Sequence, residues 1–302
     1  MSATGDNNYT CANCGKEGSN LNSCNKCKLV KYCNAACKKK HRSKHKKKCD
    51  RRVAELHDEE LFKRPPQREE CPICFLRLPS LDTGWKYHTC CGKIICSGCI
   101  YAPVYDNNGN KVKKKCPFCR ALAPKTDEEV IQLTRKRVGV GDAQAIYYLG
   151  CDYDAGRYGL PQDSGKALEL WHQAGELGCT KAYYSIGIAY CNGNGVERDE
   201  KKAAHNWELA AMGGDENARH NLGAYENNAG NFGRAIKHYM IAVGCGDNLS
   251  LNKIKQLYSK GNATKDDYAK ALQAYQAYLS EIKSYDRDKA AAFDENEYKY
   301  YE

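Results

Sequence analysis

Closely spaced cysteines dominate the first 120 residues and limit what this part of the chain can fold into. Fifteen of the 19 cysteines lie between Cys11 and Cys119, and most come in pairs separated by two residues. A tight turn between such a pair points both thiolates at one metal ion. A segment of about 40 residues cannot bury an adequate apolar core, so bound metal has to supply much of its folding free energy. The spacing therefore predicts zinc-stabilised modules.

The first group of cysteines, together with a histidine, supplies eight ligands, which is enough for two tetrahedral zinc sites. The eight are Cys11, Cys14, Cys24, Cys27, Cys33, Cys37, His45 and Cys49. Because two filled tetrahedral sites leave no position for a substrate or a catalytic water, we expect structural zinc. His41 lies four residues from both Cys37 and His45 on the same helical face, so it is an alternative ligand to His45.

The order of these ligands resembles that of the MYND zinc finger over residues 11–49, and the segment from Tyr32 to Cys49 is its most specific part. The resemblance implies an interleaved pairing. One zinc would be held by Cys11, Cys14, Cys33 and Cys37, and the other by Cys24, Cys27, His45 and Cys49. MYND fingers mostly bind short, often proline-rich peptides, so a protein or peptide partner is implied. The family usually has an aromatic residue beside the intermediate histidine, where this chain has Arg42.

A run of basic residues, 38–48, lies between the last ligands of this finger. Clustered lysines neutralise phosphates, so one interpretation is a contact with nucleic acid. No aromatic residue interleaves the lysines, and a base-stacking platform is not evident. Zinc-bound thiolates and four zinc ions also lower the formal net charge of +10 to about +3. We therefore favour the solvated face of a zinc-bearing helix and do not expect nucleic acid as a partner.

A second group of eight cysteines follows a charged connector that contains Pro65-Pro66. Its members are Cys71, Cys74, Cys90, Cys91, Cys96, Cys99, Cys116 and Cys119. Their number again suits two four-coordinate zincs, so we expect four structural zinc ions per chain. Cys90 and Cys91 are adjacent, and neighbours reach one metal only with an unusual backbone. His88 is therefore an alternative to Cys90 or Cys91 as a ligand.

The order of these eight cysteines resembles that of a RING finger over residues 71–120. The resemblance implies a cross-brace of two zinc sites. One would consist of Cys71, Cys74, Cys96 and Cys99, and the other of Cys90, Cys91, Cys116 and Cys119. Lys93 stands where many RING fingers have a ligating histidine. It does not replace imidazole, because its amine is protonated near pH 7.

Ubiquitin-ligase RING fingers form no covalent intermediate, so no catalytic residue is expected. They dock a ubiquitin-conjugating enzyme and hold its thioester-linked ubiquitin in a reactive pose. By resemblance, Ile73 lies in the apolar groove for that enzyme, Pro117 edges the groove, and Arg120 bridges the two bound proteins. The forked guanidinium of Arg120 suits such a bridge. The alternative is that Ile73 and Pro117 only pack the finger and that Arg120 is solvated.

The second half of the chain repeats with a period of 32 to 36 residues. One aromatic position of the period is occupied by Trp171, Trp207, Tyr239 and Tyr275. Leu149-Gly150 recurs as Ile186-Gly187 and Leu222-Gly223, after which the match fades. The pattern resembles the Sel-1-like repeat, a relative of the tetratricopeptide repeat, with three clear units and a degenerate fourth. Stacked units form a curved surface, so the resemblance implies a protein partner.

The sequence therefore predicts a multidomain protein, with two small zinc-stabilised cross-brace fingers followed by an all-α superhelical repeat domain. The predicted segments are a disordered N-terminus at 1–10, the first finger at 11–49, a charged linker at 50–70, the second finger at 71–120, a linker helix at 121–140, the repeats at 141–283 and a C-terminal tail at 284–302. The tail is either a capping helix or a frayed end.

The polar N-terminus carries no apolar core of a secretory signal, and no stretch approaches the roughly 18 consecutive apolar residues of a membrane helix. We therefore expect a reducing compartment, the cytoplasm and/or the nucleus, and no contact with a membrane. The leading function hypothesis is a RING-type ubiquitin ligase whose MYND finger and repeats recruit the substrate. The alternatives are a non-catalytic scaffold and, less favoured, a MYND-type transcriptional regulator.

Overall fold

The computed structural model describes residues 9–66, 69–80, 82–102 and 115–301. Two compact units divide the chain, one ending at Lys63 and the other beginning at Arg64. Residues 1–8 of the segment expected to be disordered lie outside the described residues, whereas Tyr9 and Thr10 form a strand. The described helices are all too short or too polar to cross a lipid bilayer.

The first unit consists of two short hairpins and one long helix. The strands are β1 (Tyr9–Thr10), β2 (Glu17–Gly18), β3 (Asn22–Ser23) and β4 (Lys31–Tyr32). β1 pairs with β2 and β3 with β4, both antiparallel. The buried apolar cluster of this unit contains Tyr32 and four cysteines. Such a small cluster cannot hold the unit together without metal.

Helix α1 (Ala35–Leu61) begins inside the first finger and continues well into the segment assigned to the charged linker. Asn34 caps it by accepting a hydrogen bond from the Cys37 N–H, at 2.8 Å. Beyond Cys49 the charges pair along the helix, because Arg52 contacts both Glu55 and Glu59. Pairs of this kind support a helix through a stretch with few apolar residues.

The second unit begins with the second finger. The finger contains a 3₁₀ turn (Asp82–Gly84), the antiparallel hairpin of β5 (Trp85–His88) and β6 (Lys93–Cys96), and helix α2 (Ser97–Tyr101). Helix α3 (Asp127–Gly139) follows the last cysteines. Thr126 caps it, and three acidic residues in its first turn complement the helix dipole.

Antiparallel helix pairs make up the repeats. The helices are α4 (Ala143–Ala155), α5 (Ser164–Glu176), α6 (Thr180–Asn192), α7 (Glu200–Met212), α8 (Glu216–Asn228), α9 (Phe232–Gly244), α10 (Asn248–Ser259) and α11 (Lys265–Ile282). Aspartate side chains cap five of them, at Asp142, Asp163, Asp199, Asp215 and Asp247. Each accepts hydrogen bonds from N–H groups that the first helical turn leaves unpaired.

A glycine facing an aromatic ring sets the distance between the two helices of a repeat. A Cβ at Gly187 would lie 2.3 Å from Trp207 Nε1, and the corresponding approach in the preceding repeat is 2.7 Å. In the fourth unit the glycine position is taken by Lys255, although Ile254 beside it and Tyr275 are both buried. The missing close approach explains why the sequence match fades there.

The C-terminal tail is folded. It forms α12 (Tyr285–Phe293) and α13 (Glu295–Tyr298), and Ser284 caps α12. Both helices pack against the second finger, because Ala290 and Tyr298 belong to the buried cluster of that finger. The tail is therefore neither a frayed end nor only a cap on the repeats.

Candidate metal centres and the surfaces around them

Among the residues that the structure describes, sixteen side chains form four groups, and within each group the ligand atoms all lie within 4.8 Å of one another. The groups are Cys11, Cys14, Cys33 and Cys37; Cys24, Cys27, His45 and Cys49; Cys71, Cys74, Cys96 and Cys99; and Cys90, Cys91, Cys116 and Cys119. In each finger the members interleave along the chain, as in a cross-brace. These are the groups that the resemblances implied.

The spacing of the ligand atoms fits zinc. Ligands about 2.3 Å from a tetrahedral zinc lie about 3.8 Å from one another. In the first finger, Cys24 Sγ and Cys49 Sγ are 3.8 Å apart, and Cys14 Sγ and Cys33 Sγ are 3.6 Å apart. Four protein ligands fill each site, which is the mark of structural zinc. The cofactor is therefore zinc in a structural role.

His45, and not His41, belongs to the second zinc group of the first finger. His45 Nε2 lies 3.2 Å from Cys27 Sγ, and its side chain is buried. His41 stacks on His45 with ring centroids 5.8 Å apart, and its Nδ1 lies 3.1 Å from the Tyr32 hydroxyl. His41 therefore packs beside the ligand and is outside the zinc group.

Two buried ligands of the first finger, Cys11 and Cys24, have lowered pKa values, whereas burial raises the pKa of the buried Cys49 to about 11. Hydrogen bonds from the backbone N–H groups of Cys14 and Cys33 lower the pKa of Cys11 to about 6. Burial opposes ionisation of Cys24, but the backbone N–H of Cys27 and the side chain of His45 still lower its pKa to about 6. Because the thiolate is the form that binds metal, these hydrogen bonds favour the metal-binding state of Cys11 and Cys24.

Cys90 and Cys91 are both in the fourth group, although they are neighbours. Cys90 Sγ is 3.4 Å from Cys119 Sγ, and Cys91 Sγ is 3.8 Å from Cys116 Sγ. The turn between β5 and β6 makes this possible, because Gly92 is left-handed, with φ of 70°, and its N–H donates to the His88 carbonyl at 2.8 Å. The His88 imidazole is outside the group.

Four of the turns that connect two cysteines separated by two residues share one backbone geometry. The residue after the second cysteine is left-handed in Gly15, Lys28, Phe75 and Arg120, with φ of 75°, 58°, 59° and 63°. Its N–H donates to the carbonyl of the first cysteine at 2.9 to 3.0 Å. Non-glycine residues seldom adopt this conformation. Sequence reasoning missed this geometry, although Gly15 in the first turn is a signal for it.

The two outer turns of the second finger carry the residues assigned to partner binding. Ile73 lies between Cys71 and Cys74 and is 37% exposed, whereas Pro117 lies between the last two ligands and is half-buried. Arg120 directly follows the last ligand and is exposed.

Further apolar side chains are exposed beside the same two turns, and sequence reasoning missed them. Phe75 is 72% exposed, Phe118 is 45% exposed and Leu122 is 60% exposed. Each lies within three residues of a zinc ligand. Side chains of this size in solvent mark a surface for a partner when they occur together.

Helix α2 of the second finger is covered by the C-terminal helices. Ile100 and Tyr101 of α2 share a buried cluster with Ala290 and Tyr298. The ring centroids of Tyr101 and Tyr298 are 5.8 Å apart. The α12 backbone comes so close that a Cβ at Gly98 would lie 2.9 Å from it. The finger is thereby built into the second unit.

A partly buried hydrogen-bond network joins the hairpin of the finger to the start of the repeats. The Tyr87 hydroxyl donates to Asp142 Oδ2 at 2.9 Å, and Arg137 donates to the same oxygen at 2.8 and 3.0 Å. Burial alone would raise the pKa of Asp142, but these hydrogen bonds lower it below its ordinary value. The carboxylate therefore links the finger, α3 and α4.

Other polar contacts reach further along the repeats. The Ser80 N–H donates to the Tyr278 hydroxyl at 2.7 Å, and Lys181 donates to Asp82 at 2.9 Å. The Lys181 ammonium also lies 4.0 Å from the centre of the Trp85 ring. Contacts to α6 and α11 hold the finger at a fixed place on the repeat surface.

The comparisons with known proteins identify two of the modules. Residues 11–49 match the model of the MYND finger. Residues 143–179 and 180–215 match the model of the Sel1 repeat. The chain thus contains a MYND finger and Sel1 repeats, and its second cysteine-rich segment fits a further cross-brace finger. Modules of these kinds bind proteins, so the chain has the organisation of a protein-interaction adaptor.

The curated relatives match only part of the chain. Chitin synthase regulator SKT5 of Malassezia restricta is 30% identical over 137 residues, which is 43% of this chain and 10% of that protein. Chitin synthase regulatory factor 4 of Schizosaccharomyces pombe is 28% identical over 40% of this chain and 19% of its own length. The E3 ubiquitin-protein ligase DA2 of Arabidopsis thaliana is 34% identical over 79 residues, 23% of this chain and 18% of that protein. The chain therefore spans less than a fifth of each of these relatives.

Among solved structures, a Sel1 repeat protein from Oxalobacter formigenes is similar to the helical part. It is 26% identical with a TM-score of 0.47, and the match covers 53% of this chain and 67% of that one.

Proposed function

We propose that the second finger is a RING-type ubiquitin ligase module. A ubiquitin-conjugating enzyme docks on the exposed turns, with Ile73 and Pro117 as its apolar contacts. Arg120 donates to both the enzyme and the ubiquitin carried on its thioester. The MYND finger and the Sel1 repeats recruit the protein to be modified. The proposed setting is the cytoplasm or the nucleus, where reducing conditions keep the cysteines available for zinc.

One observation carries this proposal: Ile73, Phe75, Phe118 and Arg120 on the two outer zinc turns are exposed, while the β5–β6 hairpin and α2 contact the repeats and the C-terminal helices. Ile73 and Arg120 remain exposed in the presence of the repeats and of the C-terminal helices. A finger that served only to stabilise the fold would gain nothing from exposed apolar groups at Phe75 and Phe118.

The chemistry required of this chain is positioning. The conjugating enzyme supplies the activated thioester, and an amine of the substrate attacks it. What the finger adds is the orientation of the reacting groups, which accounts for large rate factors in bimolecular reactions. The contacts of Ser80, Asp82 and Tyr87 fix the finger on the repeats, so a protein held by the repeats would lie at a set distance from the thioester.

Similarity to the Arabidopsis ligase supports the proposal only weakly, because it covers 18% of that protein. The two chitin synthase regulators share a longer stretch with this chain. Both are named as regulators of chitin synthase, and they favour the second candidate function, a scaffold that assembles proteins without modifying them.

An autoubiquitination assay distinguishes the two functions. The full chain is incubated with ubiquitin, its activating enzyme and a panel of conjugating enzymes. We expect ubiquitin chains with the wild type and at least a tenfold loss in Ile73→Ala. Leu249→Ala is the matched control, since Leu249 is an exposed apolar residue on α10, far along the chain from the zinc turns.

Zinc content is measured for both variants, so that a loss of activity is not confused with a loss of metal. If the wild type forms no chains with any conjugating enzyme, the ligase function is wrong and the scaffold remains. Equal activity of Ile73→Ala and wild type would show that the enzyme does not dock on this turn.

A further inference from the structure

A pocket of about 600 Å³ opens in the first finger between α1 and the turn that holds Cys24 and Cys27. One wall is formed by Asn25 and Lys26 of that turn, and the other by the first half of α1. Tyr32 also lines the pocket and is 2% exposed. The pocket is concave, with side chains from two separate segments of the finger facing the same space.

Five cations line this pocket. They are Lys26, Lys38, Lys39, Arg42 and Lys46. All five are exposed to solvent, and Asp50 is the acidic residue that lines the pocket with them. A zinc ion held by three thiolates and a neutral imidazole adds a single negative charge nearby. The cations therefore outnumber the negative charges at this place.

The two halves of α1 differ in how their charges are compensated. Beyond Cys49 the arginines pair with glutamates, at 3.7 Å for Arg51 and Glu55 and 2.7 Å for Arg52 and Glu59. Within the described parts of the chain, none of the five pocket cations lies within ion-pair distance of a carboxylate. Their charge is available to an external anion.

Spacing along the helix suits an extended peptide. Lys38, Arg42 and Lys46 follow one another at intervals of four residues, which places them on one face about 6 Å apart. Alternate side chains of an extended strand lie about 6.7 Å apart on the same side. Three acidic residues at alternate positions of a strand can therefore each form an ion pair with one of these cations. The Arg42 guanidinium can bind a carboxylate through two hydrogen bonds.

Nucleic acid fits the pocket less well. Single strands bind through exposed aromatic rings on which bases stack. The Tyr32 ring is buried, and its hydroxyl lies 3.1 Å from His41 Nδ1. A helix that reads a duplex has to protrude into a groove, whereas these cations line a concave pocket opposite Lys26.

We propose that this pocket of the MYND finger binds an acidic peptide segment of a partner protein, with Asp or Glu at alternate positions of an extended strand. The proposal concerns the partner of the first finger and does not depend on ubiquitin transfer by the second.

The test measures binding of two fluorescein-labelled octapeptides to the full chain by fluorescence anisotropy at physiological ionic strength. One probe alternates Ser and Glu, and the other alternates Ser and Gln. The pocket variant carries Lys38→Glu, Arg42→Glu and Lys46→Glu. The control variant carries Lys40→Glu, Lys44→Glu and Lys48→Glu, which have the same spacing and lie on α1 outside the pocket.

We expect the Glu probe to bind the wild type at least tenfold more tightly than the Gln probe. The pocket variant should lose at least tenfold in affinity for the Glu probe, and the control variant less than threefold. Equal losses in the two variants would overturn the proposal, because charge alone would then explain binding. Tighter binding of a 12-nucleotide single strand or duplex than of the Glu probe would also overturn it.

Zinc content is measured for the pocket variant and the control variant, so that a loss of binding is not confused with a loss of metal. If the pocket variant loses zinc, Arg42→Gln takes its place, with an expected loss of at least threefold. Unchanged affinity in Arg42→Gln would contradict the proposal. Since no ubiquitin is present in this assay, its failure is independent of any failure of the ligase function.

Discussion

The two fingers hold zinc with the same interleaved arrangement of ligands, but different parts of the protein support them. In the first finger the buried apolar residues are Tyr32 and the zinc-binding cysteines themselves. In the second finger, Leu78, Trp85 and Ile95 add to the cysteines, and helices from the C-terminal end complete the cluster. The first finger is thus built around metal, and the second around metal and an apolar core shared with α12 and α13.

This difference separates two uses of zinc. A finger held by metal alone can fold as an independent module and present a binding surface wherever its neighbours lie. A finger packed into a larger unit keeps a fixed relation to that unit, and its free surface is restricted to the outer turns around Ile73 and Arg120. The first arrangement suits capture of a peptide, and the second suits the positioning of two proteins.

Removal of zinc should have the largest effect and should separate the two fingers. With a strong chelator, we expect the β1 to β4 region of the first finger to lose all protection from hydrogen exchange. Structural zinc contributes about 10 to 16 kcal/mol of apparent binding free energy in small fingers, which exceeds anything else that could hold this one. Amides of α5 to α8 should stay protected.

The measurement is hydrogen exchange followed by mass spectrometry on the full chain, with readdition of zinc as the control for reversibility. Protection that persists in residues 9–33 without metal would show that the first finger has a core of its own.

Loss of the C-terminal contact should affect only the second finger. Tyr298 is 3% exposed and packs on Tyr101, so Tyr298→Ala should lower the free energy of unfolding of the second unit by about 3 kcal/mol. Urea unfolding monitored by exchange of the β5 and β6 amides measures this change. The amides of β1 to β4 in the first finger should not respond.

Tyr285→Ala is the matched control, because the Tyr285 side chain is 78% exposed on α12. We expect a change of less than about 0.5 kcal/mol for it. Similar effects of the two substitutions would mean that the tail does not support the finger.

We expect the smallest change in stability from the hydrogen-bond network that links the β5–β6 hairpin to the repeats. Tyr87→Phe removes the hydroxyl that donates to Asp142, while Arg137 continues to pair with that carboxylate. We expect a loss of about 1 kcal/mol in the stability of the second unit. Chemical denaturation measures it against Tyr225→Phe, whose exposed ring provides a neutral control. Equal stability of the two variants would show that the Tyr87–Asp142 hydrogen bond does not stabilise the second unit.

The zinc ligands could be predicted from the sequence because metal chemistry permits few residue types at few spacings. The ambiguities arose where backbone conformation decides. Cys90 and Cys91 reach one group because Gly92 turns the hairpin, and spacing alone does not reveal that turn. His41 and His45 share a helical face, and only the packed structure shows which ring meets Cys27.

The repeats could be predicted from their period, including the place at which the pattern fails. Docking of the tail on the second finger could not, because Tyr101 and Tyr298 are almost 200 residues apart and neither lies in a recognisable motif. Contacts of this kind depend on shape complementarity between surfaces that form only after both segments have folded. Phe75 and Phe118 lie beside zinc ligands in the sequence, but the spacing of the cysteines does not show whether an aromatic side chain there is buried or exposed.

Discharge of ubiquitin from a loaded conjugating enzyme to free lysine tests the central claim most directly. A single-turnover assay compares the wild type with Arg120→Ala and with Arg135→Ala, an exposed arginine on α3. Arg120→Ala adds no backbone strain, since alanine and arginine face the same cost at a φ of 63°. We predict acceleration by the wild type and by Arg135→Ala, and a loss of at least tenfold in Arg120→Ala. No acceleration by the zinc-loaded wild type, or equal rates for the two variants, would contradict the account.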